Sequence, residues 1–249
     1  MIPRRIGILG GMGPAATVLL MQRLLSAVPA QDDADHIPLL VDQNPQVPSR
    51  IARLIEGRGE DPAPVLIEMA KRLEQAGAQA LAMSCNTAHR YADRIQGSVD
   101  IPLLDMIELA AARAAAIATE TASIGILASP AVKKIALYEP ALAAHGCHAI
   151  YPEENDSLLD VIRQVKAEGP SDKPKSRFET ISTALASSGA RVQIIACTEF
   201  SLIADAANRH ATAIDALDCL VDGVIEFAFS GDAKGPTAAP TPPDRSIDP

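Results

Sequence analysis

Two cysteines carry the sharpest chemical signal in this chain. Cys85 follows the apolar run Ala80-Leu-Ala-Met83 by one residue, and Cys197 directly follows Val192-Gln-Ile-Ile-Ala196. Each stands where a buried strand should end and a helix begin. Backbone N–H groups and the helix dipole at such a junction favour a thiolate and lower its pKa. Cysteine also packs at strand ends simply because it is small. Two at matching positions of an internal repeat weigh against that reading. A symmetric thiol pair facing one ligand fits proton transfer at both faces of a carbon: one thiolate removes a proton and the opposite thiol delivers one. The carbanion between them needs donors where charge grows on a carboxylate. Asn86 and Thr87 follow the first cysteine, and Thr198 and Glu199 the second. Asn86, Thr87, Thr198 and the neighbouring backbone amides suit the donor role. Cys147 and Cys219 fall in an apolar strand start and a helix, and read as structural.

Other residues could bind. Gly10-Gly11-Met12-Gly13-Pro14 is a glycine-rich strand-to-helix turn. Gly11, Gly13 and Ala16 fit a loose dinucleotide fingerprint, with Asp42 as a ribose acid. A cradle for a small anion or carboxylate at a helix N-terminus is the preferred reading, and a plain tight turn is the alternative. Arg50 closes the loop Asn44-Pro-Gln-Val-Pro-Ser49, where a guanidinium could clamp a carboxylate through two parallel bonds. Lys166 ends a helix in the other half. From spacing alone, an exposed charge is the favoured reading for both. His89 lies four residues after Cys85, but no second Cys/His pair joins it, so no zinc site is expected. No P-loop, haem or flavin motif is visible, and no cofactor is expected.

These residues must be positioned by alternating strands and helices. Strands are expected at Arg5–Leu9, Pro38–Val41, Gln79–Ser84, Pro102–Leu104, Ser123–Leu127, His148–Tyr151 and Val192–Ala196, with helix-length amphipathic stretches between them. That alternation predicts an α/β protein with parallel sheets. The chain also repeats itself: Ile6-Gly-Ile-Leu9 returns as Ile124-Gly-Ile-Leu127. Cys85 lies 79 residues after Ile6, and Cys197 lies 73 after Ile124. Duplication of one unit follows, giving two similar parallel-sheet α/β domains related by pseudo-two-fold symmetry. Their strand ends would converge on the cleft between them. The expected division is 1–116, completed by a C-terminal helix at about 212–230, and 117–211. Residues 231–249, with five prolines, read as a disordered tail. Gly169–Lys175 reads as a polar loop, a candidate mobile cover.

Composition narrows the partners. Hydrophobic residues make up 48% and aromatics only 3%, with no Trp, so the core is aliphatic and stacking platforms for single-stranded nucleic acid are largely excluded. A net charge of −9 disfavours extended polyanions. Arg4-Arg5 before a largely apolar run resembles a signal peptide, but glycines interrupt the run and its first phrase recurs mid-chain. No apolar run reaches the ~20 residues of a membrane span. Four cysteines are too few for a disulfide scaffold and fit a reducing compartment, the cytoplasm.

Taken together, Ile6–Thr17 (IGILGGMGPAAT), Met83–His89 (MSCNTAH) and Cys197-Thr-Glu199 resemble the aspartate/glutamate racemase family, over about residues 5–228. The resemblance implies interconversion of D and L acidic amino acids without pyridoxal phosphate or metal, in a protein that usually forms homodimers. It matches Cys85 and Cys197 to the catalytic pair, the first serving the D and the second the L enantiomer. It matches Arg50 to the Arg that follows the second-strand loop, Lys166 to a Lys that helps bind the distal carboxylate, and Met12, Asn86, Thr87 and Thr198 to the pocket lining, beside which Glu199 is also expected to meet substrate. Many members read Leu-Ala-Thr-x-Gly-Thr where this chain reads Leu127-Ala-Ser129-Pro-Ala-Val132. Ser129 keeps a hydroxyl there, but the Gly-Thr pair is lost. Phe200 is bulkier than the aliphatic residue often found. Alternatives on the same scaffold are maleate isomerisation, malonate decarboxylation and non-catalytic binding of acidic metabolites; a thiol–disulfide oxidoreductase is a further reading.

Overall fold

The computed structural model describes residues 2–118, 123–153 and 155–230. The tail expected at 231–249 lies outside them. The first half runs β1 (Ile6–Gly10), α1 (Pro14–Ala27), β2 (Leu39–Gln43), α2 (Arg50–Leu54), α3 (Ala63–Gln75), β3 (Ala80–Met83), α4 (Ala92–Gln96), β4 (Leu103–Leu104) and α5 (Met106–Ile117). The second runs β5 (Ser123–Ala128), α6 (Pro130–Lys134), α7 (Glu139–Ala144), β6 (His148–Ile150), α8 (Asn155–Glu168), α9 (Asp172–Ser187), β7 (Val192–Ala196), α10 (Thr198–Ser201), β8 (Thr212–Asp215) and α11 (Ala216–Phe229).

The strands form two four-stranded sheets, ordered β2-β1-β3-β4 and β6-β5-β7-β8. Every pairing is parallel, so the fold is the expected α/β class and the two halves share one strand order. The central strands β1, β3, β5 and β7 are buried almost throughout, which is why they read as continuous apolar runs. The repeated Ile-Gly-Ile-Leu phrase has a packing cause. A Cβ on Gly7 would lie 2.9 Å from Ala78 Cβ and 3.1 Å from Leu73 of α3. One on Gly125 would lie 2.8 Å from Leu185 of α9. In both halves a helix presses against the central strand where only glycine leaves room.

A shared core joins the halves. Ala110, Ala111 and Ala114 of α5 meet Leu217, Leu220 and Val224 of α11, together with Ile6 and Ile8 of β1 and Ile124 and Ile126 of β5. Small alanines let the two helices approach closely, and each buried Leu or Val contributes about 1.5–3 kcal/mol. Caps fix where the helices begin. Asp105 accepts from Ile107 and Glu108 N–H at the start of α5, and Asp215 from Leu217 N–H at the start of α11. Asp215 is buried and also accepts from Arg23 at 2.6 Å and from the Ser201 hydroxyl at 2.7 Å.

Two expected elements differ. Thr212–Asp215 is strand β8 of the second sheet, paired with β7, rather than the opening of the last helix; the Asp215 cap starts that helix at Ala216. The supposed polar loop at Gly169–Lys175 is mostly helix, because α9 begins at Asp172. Pro174 lies in its first turn, where the missing N–H costs nothing. Pro174 is buried, and Lys175 pairs with Asp205 at 2.7 Å.

Candidate active site

The carboxyl ends of β1, β3, β5 and β7 open on the crevice between the sheets, where open α/β folds place their ligands. Cys85 lies two residues past β3 and Cys197 directly past β7. Both line one pocket of about 500 Å³, counting its mouth. The first half contributes Met12, Arg50, Cys85, Asn86 and Thr87, and the second Ser129, Lys166, Cys197, Thr198 and Glu199. The pocket thus brings together every site residue expected from the sequence. Ser49, Ile51 and Ile162 also line it. Ile162 could have been found from helical spacing, one turn before Lys166 on α8.

The thiols are buried but reachable, each 9% exposed, and the four cysteines are free. Cys197 Sγ donates to Glu199 Oε2 at 3.0 Å, and Lys166 Nζ pairs with Glu199 Oε1 at 3.2 Å. Burial, then the Glu199 charge and hydrogen bond, hold the Cys197 thiol well above its ordinary pKa, against the pull of Lys166. The sequence reading expected the opposite. The junction supplies little dipole, because α10 has only four residues, too few to sum a useful one. Burial pulls the Lys166 ammonium down, but Glu199 and the two thiols outweigh it and raise its pKa.

Hydrogen bonds fix the segment around Cys85. His89 is fully buried, with Nδ1 2.9 Å from the Cys85 carbonyl oxygen and Nε2 accepting from Met106 N–H at 3.3 Å. Both ring nitrogens are therefore occupied in tying this turn to α5. Among the described residues no group of three or more His, Cys, Asp or Glu could hold a metal ion. Two bonds cross from the second half: Thr198 Oγ1 donates to Ser84 O at 3.0 Å, and Tyr138 OH to Asn86 Oδ1 at 2.6 Å. The Thr198 proton is thus spent on the backbone, so its hydroxyl is not the free donor expected. The Thr87 and Ser129 hydroxyls approach to 3.5 Å across the cleft.

Arg50 begins α2, its Nη1 donating to Val47 O at 3.2 Å and Pro48 O at 2.9 Å. Its own loop holds the guanidinium at the pocket wall. The glycine-rich turn is tightly packed at Gly11. Gly11 has φ +93, and a Cβ there would lie 2.4 Å from the Asn44 backbone. Its N–H is taken by Thr17 Oγ1 at 3.0 Å. Asp42, the candidate ribose acid, is clamped by Arg72 at 2.6 and 3.1 Å. A second cavity of about 1140 Å³ adjoins along the start of α1 and shares Ser49, Arg50, Lys166 and Glu199 with the pocket.

Two like sheets meeting at a cleft with one thiol from each define a class of two-cysteine α/β proteins. The chain matches the Asp/Glu/hydantoin racemase family over residues 9–224 and belongs to it. Racemases are isomerases, so this is an isomerase family. The chain is 24% identical over 225 residues to the broad specificity amino-acid racemase RacX of Bacillus subtilis (strain 168), covering 88% of this chain and 96% of that one. It is similar in structure to an aspartate racemase of Picrophilus torridus, with a TM-score of 0.77 at 27% identity, covering 90% of this chain and 94% of the other. It shares its fold with a glutamate racemase of Francisella tularensis solved with D-glutamate, with a TM-score of 0.66 at 17% identity, covering 95% and 86%. Among the described residues no helix is long and apolar enough to cross a membrane.

Proposed function

We propose that the protein is a cofactor-independent racemase interconverting the L and D forms of aspartate, glutamate or both, with Cys85 and Cys197 as opposing bases. One observation carries this reading: thiols from equivalent strand ends of two like sheets line a single pocket, beside the cations Arg50 and Lys166. The substrate α-carbon sits between the thiols. The Cys85 thiolate takes the Cα proton, and the C–H electron pair moves into the α-carboxylate as an enediolate. Cys197 then releases its proton to the opposite face and is left as a thiolate. The reverse direction starts from the state this leaves, Cys197 as thiolate and Cys85 as thiol: Cys197 takes the Cα proton and Cys85 delivers its own to the opposite face. In this account Cys85 serves the D enantiomer and Cys197 the L. Arg50 and Lys166 receive the distal carboxylate, and preorganised donors lower the cost of the enediolate. Free thiols suit the cytoplasm, and the family resemblance adds a homodimer.

Incubation with pure L- and D-aspartate, then glutamate, in deuterated water without added cofactor tests this. Chiral chromatography should show the opposite enantiomer and mass spectrometry one deuterium at Cα. Absence of exchange over a panel of acidic and neutral amino acids would refute it. One observation favours a second reading: Cys197 is held as a thiol beside Glu199, which suits protonation of the enediolate left when a malonate loses carbon dioxide. Release of carbon dioxide from a substituted malonate, without amino-acid exchange, would select that reaction.

A further inference from the structure

We infer that Tyr138 is a positioning residue that orients the Asn86 amide so its NH2 group is presented to a bound carboxylate. The ligand's identity, a small dicarboxylate, rests on the racemase reading; the orientation rests on the geometry alone. Tyr138 precedes α7 in the second half and has no exposed surface. Its hydroxyl reaches across to Asn86 Oδ1 at 2.6 Å. Asn86 is 3% exposed and lines the pocket next to Cys85. Its Nδ2 is buried without a hydrogen-bond partner. An amide whose oxygen is satisfied and whose NH2 is not has one half of its capacity waiting for an acceptor.

The phenol decides which half waits. Burial keeps Tyr138 protonated, its pKa well above the ordinary phenol value. A protonated phenol can donate its one proton to Oδ1. If the amide turned round, the phenol oxygen would accept from Nδ2, but its own proton would then lack a partner in an apolar core. The amide oxygen would also face the incoming carboxylate, where two acceptors repel. The bond therefore selects the orientation that binds an anion. It also crosses the cleft, as does the Thr198 bond to Ser84 O. The stretch Ser84–Asn86 is thus tied to the opposite half on either side of Cys85, so donor orientation and the closeness of the two halves are linked.

Calorimetric binding of succinate, which has no amino-bearing α-carbon to racemise, tests this with the full chain. Tyr138→Phe should weaken binding about tenfold, the size of a net hydrogen-bond effect. Asn86→Leu should weaken it at least as much, and the double variant no more than Asn86→Leu alone. Asn86→Asp keeps an acceptor for Tyr138 but replaces the donor by an oxygen, so it should lose succinate at least as completely as Asn86→Leu. Melting curves check that each variant is folded. Additive losses in the double variant, undiminished binding in Tyr138→Phe or Asn86→Asp, or no succinate binding by the unaltered protein would each overturn the inference. Exchange of aspartate by the unaltered protein is read separately. Succinate results as expected without exchange would leave the inference standing and remove the racemase reading.

Discussion

Replacing Glu199 by Gln isolates the charge that governs Cys197. The change keeps size and a polar tip but removes the negative charge 3.0 Å from Sγ. A hydrogen bond to a charged acceptor is worth about 1.5–3 kcal/mol, and here it favours the thiol. At 1.36 kcal/mol per tenfold, its loss raises the thiolate fraction at neutral pH by about ten- to 150-fold. Lys166, freed from Glu199, pulls in the same direction. A thiol of lower pKa is also a weaker nucleophile, with a Brønsted slope of about 0.4–0.5, which returns nearly half the gain on a logarithmic scale. The net expectation is a roughly four- to 15-fold faster reaction of Cys197 with a dithiodipyridine reagent. The assay uses a Cys85→Ser background so that one pocket thiol reports, with peptide mapping to separate Cys147 and Cys219. An unchanged or slower rate would refute the view that Glu199 holds the proton on Cys197.

Three further outcomes are expected. Because the Cys197 thiol is held up by burial and by Glu199, the direction that needs its thiolate should speed up as pH rises beyond the ordinary thiol range; initial rates for each enantiomer between neutral and alkaline pH check the sign, and Glu199→Gln should move that rise to lower pH. Gly11→Ala puts a Cβ against the Asn44 backbone at φ +93, and should destabilise the fold by about 2–5 kcal/mol. Calorimetry should show Tm lowered by roughly 5–15 °C for a chain of this size. Lys166→Met removes a pocket cation and the partner of Glu199, and should raise KM for aspartate by about tenfold, the size of one charge-assisted bond, as read in initial-rate kinetics.

Much of this is legible in the sequence. Strand-to-helix punctuation by Gly and Pro located most elements, and the repeated Ile-Gly-Ile-Leu phrase revealed the duplication because both glycines face the same helix contact. The residues that share the pocket were legible because they cluster at strand ends, which topology sends to one crevice. What escaped was decided by contacts remote in sequence or by rotamers. Tyr138 is a lone aromatic in an apolar stretch, and its meaning comes from Asn86, 52 residues away. The Cys197 environment depends on the Glu199 side chain turning back two residues, which no spacing rule supplies. Strand β8 does not stand out from the following helix in the sequence, because four residues at a sheet edge, two of them exposed, carry too little period.

The central claim is that two thiols act on opposite faces of one carbon. Deuterium incorporation at Cα, measured for L- and D-aspartate with Cys85→Ser and Cys197→Ser, addresses it directly. Each variant should lose racemisation by about 100- to 10,000-fold, the worth of a placed acid or base. Each should keep exchange without inversion only for the enantiomer facing its remaining thiol: D-aspartate for Cys197→Ser and L-aspartate for Cys85→Ser. Racemisation near the unaltered rate by either single variant would contradict the account.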